Sequence, residues 1–138
     1  GRFGDTWNRI VFPGTSTFRN CQFTLAPEIE PQYRKPEKGQ NGEWAAIHLY
    51  WNINGTAYKN QTLKFENCTF DVDPKIPEAD TTYGFYLERY VEPDDNNHLI
   101  LKDCVIAPAF DEGLHIKGDS KVKIENTRNQ AQKPVVKE

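Results

Sequence analysis

Short runs in which apolar and polar residues alternate recur along the chain and predict β-strands. Four of them share an apolar, variable, apolar pattern, at residues 10–12, 47–49, 85–87 and 114–116. A period of two is typical of a strand with one buried face. No stretch sustains a helical period for three turns, and nine Pro and nine Gly are spread through the chain. The pattern predicts an all-β protein.

A second motif, found in four copies, suggests how these strands are organised. It reads FRNCQF at 18–23, FENCTF at 65–70, LKDCVI at 101–106 and IENTRN at 124–129, where only the first half is kept. All three cysteines occupy the same motif position. A β-sandwich also contains many short strands, but it does not need the same side chain at the same place in successive units. A solenoid does, because each coil buries its apolar face only against its neighbours.

The two patterns together define four units of strand, turn, strand, bend and strand. Their approximate limits are 5–41, 42–80, 81–110 and 111–138. The longer units carry Pro-rich insertions at 26–41 and 71–80, which a solenoid tolerates in its turns. We therefore predict a β-solenoid of about four coils in one domain, residues 1–129, with a polar C-terminal tail at 130–138.

The chain resembles the right-handed parallel β-helix of the pectin-lyase-like superfamily. The Asn-Cys motif copies carry the resemblance, together with GLHIKG at 113–118 and VKIEN at 122–126. It implies a ladder of stacked side chains at the bend between the second and third strands. Asn tolerates the left-handed backbone of such a bend, and stacked amides can bond along the axis. The expected ladder is Asn20, Asn67, Asp103 and Asn126, in which Asp103 needs a different donor.

Alternation also predicts which side chains fill the coils. The expected core, coil by coil, is Ile10, Phe12, Phe18, Cys21 and Phe23; Ile47, Leu49, Leu63, Phe65, Cys68 and Phe70; Phe85, Leu87, Leu99, Leu101, Cys104 and Ile106; Leu114, Ile116, Val122 and Ile124. The cysteines lack a C-x-x-C or Cys/His spacing, which disfavours a zinc site. Stacked side chains also suit a disulfide poorly. We interpret the cysteines as buried thiols that fill core space.

The outward positions of the first strand in each unit are the candidate ligand face. Aligning the four runs places Val11, His48, Tyr86 and His115 in one row, and Pro13, Tyr50, Glu88 and Lys117 in the next. Trp51 and Arg89 follow at the strand ends. Aromatic rings beside polar groups suit sugars, because a flat ring covers apolar C–H faces. The alternative is ordinary sheet surface, where aromatics and a Glu88–Lys117 pair are common. The predicted ligand-binding residues are Tyr50, Trp51, Tyr86, Arg89, His48 and His115.

Catalysis is less well supported by these residues. A glycoside hydrolase needs two carboxylates at a defined separation, and Glu88, Asp111 and Glu112 do not match on adjacent coils. A lyase needs a base and a cation, which His48, His115, Lys117 and Arg89 could supply, with or without Ca²⁺. Glu88 is a further candidate. Otherwise we expect no cofactor and no metal site.

Composition narrows the possible partners. The 138 residues carry a net charge of −3, with 17 Lys and Arg against 20 Asp and Glu, so nothing favours nucleic acid. No apolar run is long enough for a membrane span. Methionine is absent and the chain begins at Gly1, so we expect a piece of a longer protein, with other chains or domains covering the coil ends.

The predicted function is a non-catalytic module of an extracellular, cell-surface or virion assembly, such as a phage appendage or adhesin, that recognises glycan or protein. The alternative is a polysaccharide lyase or glycoside hydrolase.

Overall fold

The computed structural model describes most of the predicted units. The described residues are 9–10, 14–26, 43–50, 52–53, 56–57, 59–88, 96–118 and 121–138. Within them every regular element is a strand, and no helix occurs. The described residues therefore include no helix long and apolar enough to cross a membrane.

The strands form three parallel sheets and one small hairpin. Sheet A contains β1 (Arg9–Ile10), β4 (Glu43–Tyr50), β9 (Thr81–Glu88), β12 (Glu112–Ile116) and β15 (Lys133–Lys137). Sheet B contains β2 (Thr15–Arg19), β7 (Thr62–Glu66), β10 (His98–Lys102) and β13 (Lys121–Glu125). Sheet C contains β3 (Gln22–Leu25), β8 (Thr69–Val72), β11 (Val105–Ile106) and β14 (Arg128–Asn129). The hairpin pairs β5 (Asn52–Ile53) with β6 (Thr56–Ala57) in antiparallel fashion.

The chain visits sheets A, B and C in turn, and each strand pairs with its counterpart one turn later. This path confirms an all-β solenoid of about four coils, with the β5–β6 hairpin inserted in the second coil. The segment 130–138, expected to be a polar tail, contains β15. This strand pairs with β12 and begins a fifth turn in sheet A. Alternation could not reveal it, because most of its side chains are exposed.

The core lies between the three sheets and consists of stacked rows of equivalent residues. Phe18 stacks on Phe65 at 5.3 Å, and Phe23 stacks on Phe70 at 5.2 Å. Leu101 continues the Phe65 row and is fully buried. The expectation that Ile124 is buried in the same row is wrong, since its side chain is 42% exposed. The reason is its place in β13, which is the edge strand of sheet B.

Other core expectations are met to different degrees. Cys68 and Cys104 are buried thiols, and all three cysteines are free. Cys21, Phe18 and Val122 are only partly buried and pack against the core from the two outer coils. Phe12 lies outside the described residues.

The predicted ladder marks the bend between sheets B and C. Asn20, Asn67, Asp103 and Asn126 all have positive φ, from 42° to 59°. The Asn67 amide donates to Asn20 Oδ1 at 2.8 Å, and the Asn126 amide donates to Asp103 Oδ1 at 2.6 Å. A carboxylate has no proton to donate, so Asp103 cannot extend the ladder by donating to Asn67. It accepts the hydrogen bond from the Asn126 amide instead.

A second asparagine pair, not predicted from the sequence, precedes the strands of sheet B in two coils. Asn60 and Asn96 have φ values of 57° and 56°, and the Asn96 amide donates to Asn60 Oδ1 at 3.0 Å. The same left-handed requirement therefore selects asparagine at a second corner of two successive coils.

Sheet A departs from simple alternation at one row. The ladder pairing skips the row that contains Ala46, Gly84 and Gly113. A Cβ on Gly84 would lie 2.7 Å from the Gly113 carbonyl oxygen, so this row favours small residues. The outward residues on either side of the row are spaced by three positions, as in Tyr83 and Tyr86.

Candidate functional site

The outer face of sheet A carries the aromatic row that the sequence predicts. His48, Tyr86 and His115 are directly in register on β4, β9 and β12. The expected first member, Val11, is wrong: Arg9 pairs with His48, and Ile10 pairs with Leu49 rather than aligning with Ile47. A shift of two residues leaves the same side chains on each face, so alternation could not detect it.

The rings of this row cover one another. Tyr86 and His115 lie parallel with centroids 4.9 Å apart, and His48 meets Tyr86 edge-on at 5.6 Å. Tyr83, from the preceding outward row, meets both Tyr86 and His115 edge-on. We call these four residues the outer aromatic cluster. The row was expected to face solvent, but His48, Tyr86 and His115 are each only 6% exposed, because stacked rings hide one another's faces.

Carboxylates hold the cluster from two sides. His115 Nδ1 lies 2.6 Å from Glu112 Oε2, and Nε2 lies 3.3 Å from Glu138 Oε2. Because a carboxylate oxygen only accepts hydrogen bonds, Nδ1 is the donor to Glu112. Carboxylates therefore flank both imidazole nitrogens of His115.

Tyr83 is anchored in a similar way on the other side of the cluster. Its hydroxyl donates to Glu43 Oε1 at 3.2 Å. Burial, reinforced by the negative charges of Glu43 and Glu112, raises the pKa of the Tyr83 phenol. Tyr83 is accordingly a neutral donor and not a base at neutral pH.

The carboxyl ends of β4, β9 and β12 meet at one edge of sheet A, beside the cluster. Tyr50 and Glu88 pair in register there, as predicted, although only their backbones are described. Lys117 follows β12 and places its ammonium 5.3 Å from the Tyr86 ring centroid and 3.9 Å from Glu138 Oε2. Trp51 and Arg89, which were predicted to bind ligand here, lie outside the described residues.

Two acidic residues considered for catalysis are engaged in structural contacts. Asp111 Oδ2 accepts hydrogen bonds from the backbone nitrogen and hydroxyl of Thr82, at 2.8 Å and 3.1 Å. Glu112 holds His115. In the part of the chain that the structure describes, no three His, Cys, Asp or Glu side chains are grouped to hold a metal ion.

Glu43, Tyr83 and the carboxylate contacts of His115 were not predicted from the sequence. A signal for them exists in the repeat itself. Segments 45–48, 83–86 and 112–115 each read outward residue, Ala or Gly, apolar residue, and then His or Tyr. This spacing of three places Tyr83 and Glu112 beside the aromatic row.

No protein-family model matches the chain, and searches of curated proteins and of solved structures found no significant match.

Proposed function

We propose that this chain is a non-catalytic β-solenoid module that recognises glycan or a partner protein within an extracellular, cell-surface or virion assembly. The observation that carries the proposal is the outer aromatic cluster and the edge beside it. The rings of Tyr86 and His115 stack in parallel and form a packed layer on the outer face of sheet A. Lys117, at the strand ends, adds a cation suited to the carboxylates of an acidic sugar.

In this proposal the buried rings position the ligand face, and the next residues along each strand make the contacts. Those residues are Tyr50, Trp51, Glu88, Arg89 and Lys117. Tyr50 and Glu88 pair at the ends of β4 and β9, and Lys117 follows β12, so a ligand lying across the coils would cross the ends of three neighbouring strands. Trp51 and Arg89, which follow Tyr50 and Glu88 in sequence, lie outside the described residues and join the proposal on their residue types alone.

The absence of catalysis is supported by how the acids and bases are engaged. His115 meets carboxylates at both nitrogens, and Asp111 is bonded to Thr82. A general base must reach the proton it removes. The engaged groups would have to break these contacts first.

We further infer that the solenoid is right-handed and related to the pectin-lyase-like superfamily. The motifs at 18–23 and 65–70, the Asn ladder and the three-sheet path support this relationship. Right-handed crossovers are also the general preference for parallel strands.

One observation favours a second candidate function, a polysaccharide lyase or glycoside hydrolase. The Glu112–His115 contact at 2.6 Å resembles the carboxylate–imidazole pairs that orient a general base. In that case Glu138 would move aside on substrate binding, and Ca²⁺ could assist a lyase by neutralising a substrate carboxylate.

A panel of acidic and neutral polysaccharides, with and without Ca²⁺, tests both candidates. Retention on immobilised polysaccharide is measured beside product formation by mass spectrometry. We expect retention without products, with Lys117→Ala and Trp51→Ala weakening it. Lys75→Ala, in an exposed turn after β8, is the matched control. Shortened or unsaturated oligosaccharides that disappear with His115→Ala would instead establish an enzyme.

A further inference from the structure

The outward face of sheet B concentrates positive charge. Its strands turn Phe18, Phe65 and Leu101 toward the core, so the alternate residues point outward. The charged outward residues are Arg19, Lys64, Glu66, Lys102, Lys121, Lys123 and Glu125. These five cations and two carboxylates carry +3 on a chain of net charge −3, so the rest of the chain carries −6. This segregation of charge favours contact between the face and an anion.

Each of the four coils places at least one cation on this face. Arg19 comes from β2, Lys64 from β7, Lys102 from β10, and both Lys121 and Lys123 from β13. Neighbouring strands of a sheet lie about 4.8 Å apart, so the cations recur at about that interval along the solenoid axis. One sugar unit of a linear polysaccharide has a similar length. A polysaccharide with charged groups on successive sugars would therefore meet a cation at each coil.

The carboxylates on the face leave part of its positive charge uncompensated. Glu66 contacts Arg19 at 2.6 Å and Lys64 at 2.7 Å, so two cations share one carboxylate. Glu125 contacts Lys123 at 2.8 Å. The side chains of Arg19 and Lys123 are 65% and 67% exposed, so a ligand can reach both cations despite these contacts.

The remaining two cations lack even such a carboxylate. Among the described residues, neither Lys102 nor Lys121 forms an ion pair. The Lys121 ammonium instead donates to Asn96 Oδ1 at 3.2 Å, which holds it at the corner where sheet B begins. A neutral amide orients this ammonium without cancelling its charge.

The uncharged residues of the face argue against other kinds of polymer. They are Thr15, Thr17, Thr62, His98 and Ile100. None is Phe, Tyr or Trp, on which single-stranded nucleic acids and neutral sugars stack. A flat sheet face also presents no helix or ribbon to enter the groove of a DNA duplex. Threonine hydroxyls can donate to and accept from sugar hydroxyls, which leaves an acidic glycan as the fitting ligand.

The placement of the cations favours sulfate over carboxylate as the acidic group. Lys121 and Lys123 are two positions apart on β13, so their Cα atoms are roughly 6.6 Å apart. A sulfate ester presents three terminal oxygens on a flexible linkage, so it can accept hydrogen bonds from two such cations at once. A uronate carboxylate has two oxygens and is attached directly to the sugar ring, which shortens its reach.

We propose that the outward face of sheet B binds a sulfated polysaccharide that lies along the solenoid axis. The cations of successive coils contact successive sulfate groups, and the threonines contact sugar hydroxyls. This inference goes beyond the proposed function, because its surface lies on sheet B and the ligand face lies on sheet A.

Dextran sulfate is a suitable probe, and unsubstituted dextran is its uncharged match. The dissociation constant of the full chain is measured by calorimetry at roughly 0.15 M ionic strength. We expect binding to dextran sulfate alone, weakened about tenfold by Lys102→Gln combined with Lys123→Gln, through the loss of two ion contacts. The control combines Lys75→Gln with Lys137→Gln, which removes the same charge from exposed lysines outside sheet B and should change affinity less than about twofold.

A variant that strengthens binding makes the test sharper. Glu125→Gln removes the carboxylate that contacts Lys123, so we expect affinity for dextran sulfate to rise about threefold. Glu78→Gln, in an exposed turn after β8, changes the net charge equally and should have no such effect. Circular dichroism checks that each variant keeps the fold.

Several outcomes would overturn the proposal. These are no binding by the folded chain, equal binding of dextran, and equal weakening by the two double variants, which would show an effect of net charge alone. Equal affinity for alginate, a polyuronate, would overturn the choice of sulfate, and equal affinity for single-stranded DNA would overturn the choice of a glycan. Retention that depends on Lys117 but not on the sheet B lysines would refute this surface and keep the ligand face of sheet A. The opposite dependence would refute that ligand face and support this surface.

Discussion

Leu101 and Ile124 occupy the same row on adjacent coils, and their truncation tests whether the described part of sheet B ends at β13. They pair directly between β10 and β13, yet Leu101 is fully buried and Ile124 is 42% exposed. Leu101→Ala removes three buried carbon atoms and leaves a cavity between the coils on either side. The expected loss in the free energy of unfolding is about 3 kcal/mol.

Ile124→Ala should cost only about 1 kcal/mol, because the side chain buries roughly half of its area and, among the described residues, no strand lies beyond β13 to close a cavity. Urea unfolding followed by tryptophan fluorescence measures both values, and similar slopes would show that the denatured states are comparable. Equal losses for the two variants would refute the assignment of β13 as an open edge.

A charge at the buried position extends the same test. Leu101→Asp places an unpaired carboxylate inside a coil, so we expect the chain not to fold. A soluble Leu101→Asp variant that unfolds cooperatively would contradict the coil assignment itself.

Three further predictions concern the close approach at Gly84, the ion contacts of Glu66 and the reactivity of the thiols. Gly84→Ala should lower stability by about 1–3 kcal/mol in thermal unfolding, because its Cβ would press on the Gly113 carbonyl; an unchanged midpoint would contradict the close approach of the two coils. The ion contacts of Glu66 lower its pKa to about 2, so they stabilise the fold above the ordinary glutamate pKa and are lost as pH falls toward 2. Urea midpoints measured against pH should therefore fall less steeply on acidification for Glu66→Gln, and identical slopes would sink this assignment. Burial raises the pKa of the Cys68 thiol to about 11, so alkylation at mildly alkaline pH, read by mass spectrometry, should label Cys21 first and Cys68 only with denaturant.

The variant Glu112→Gln distinguishes a structural role of the Glu112–His115 contact from a role in ligand binding. Glu112→Gln keeps the shape but replaces the charged acceptor of His115 Nδ1 at 2.6 Å. We expect lower stability and unchanged polysaccharide retention, because the contact fixes the cluster without touching ligand. Weaker retention at unchanged stability would place Glu112 in the ligand face.

Much of the fold follows from local sequence. The Asn-Cys motif predicted the buried thiols and the row that contains Phe65 and Leu101, and the resemblance that it carries implied the left-handed bend. Each prediction rests on the chemistry of one residue type, such as the tolerance of asparagine for positive φ, and repeats in every coil. The register of His48, Tyr86 and His115 was predicted by aligning the apolar, variable, apolar runs of successive units.

Tertiary structure decided what depends on neighbours across coils. Alternation with a period of two cannot distinguish whether Arg9 or Val11 aligns with His48. The burial of the outward rings depends on stacking between β9 and β12, and the Glu138 contact exists because β15 returns beside β12. Ile124 matches its row in sequence, but its exposure is set by the absence of a strand beyond β13 in the described residues. Sequence determines which face a side chain takes, and only the stacking of coils determines what covers that face.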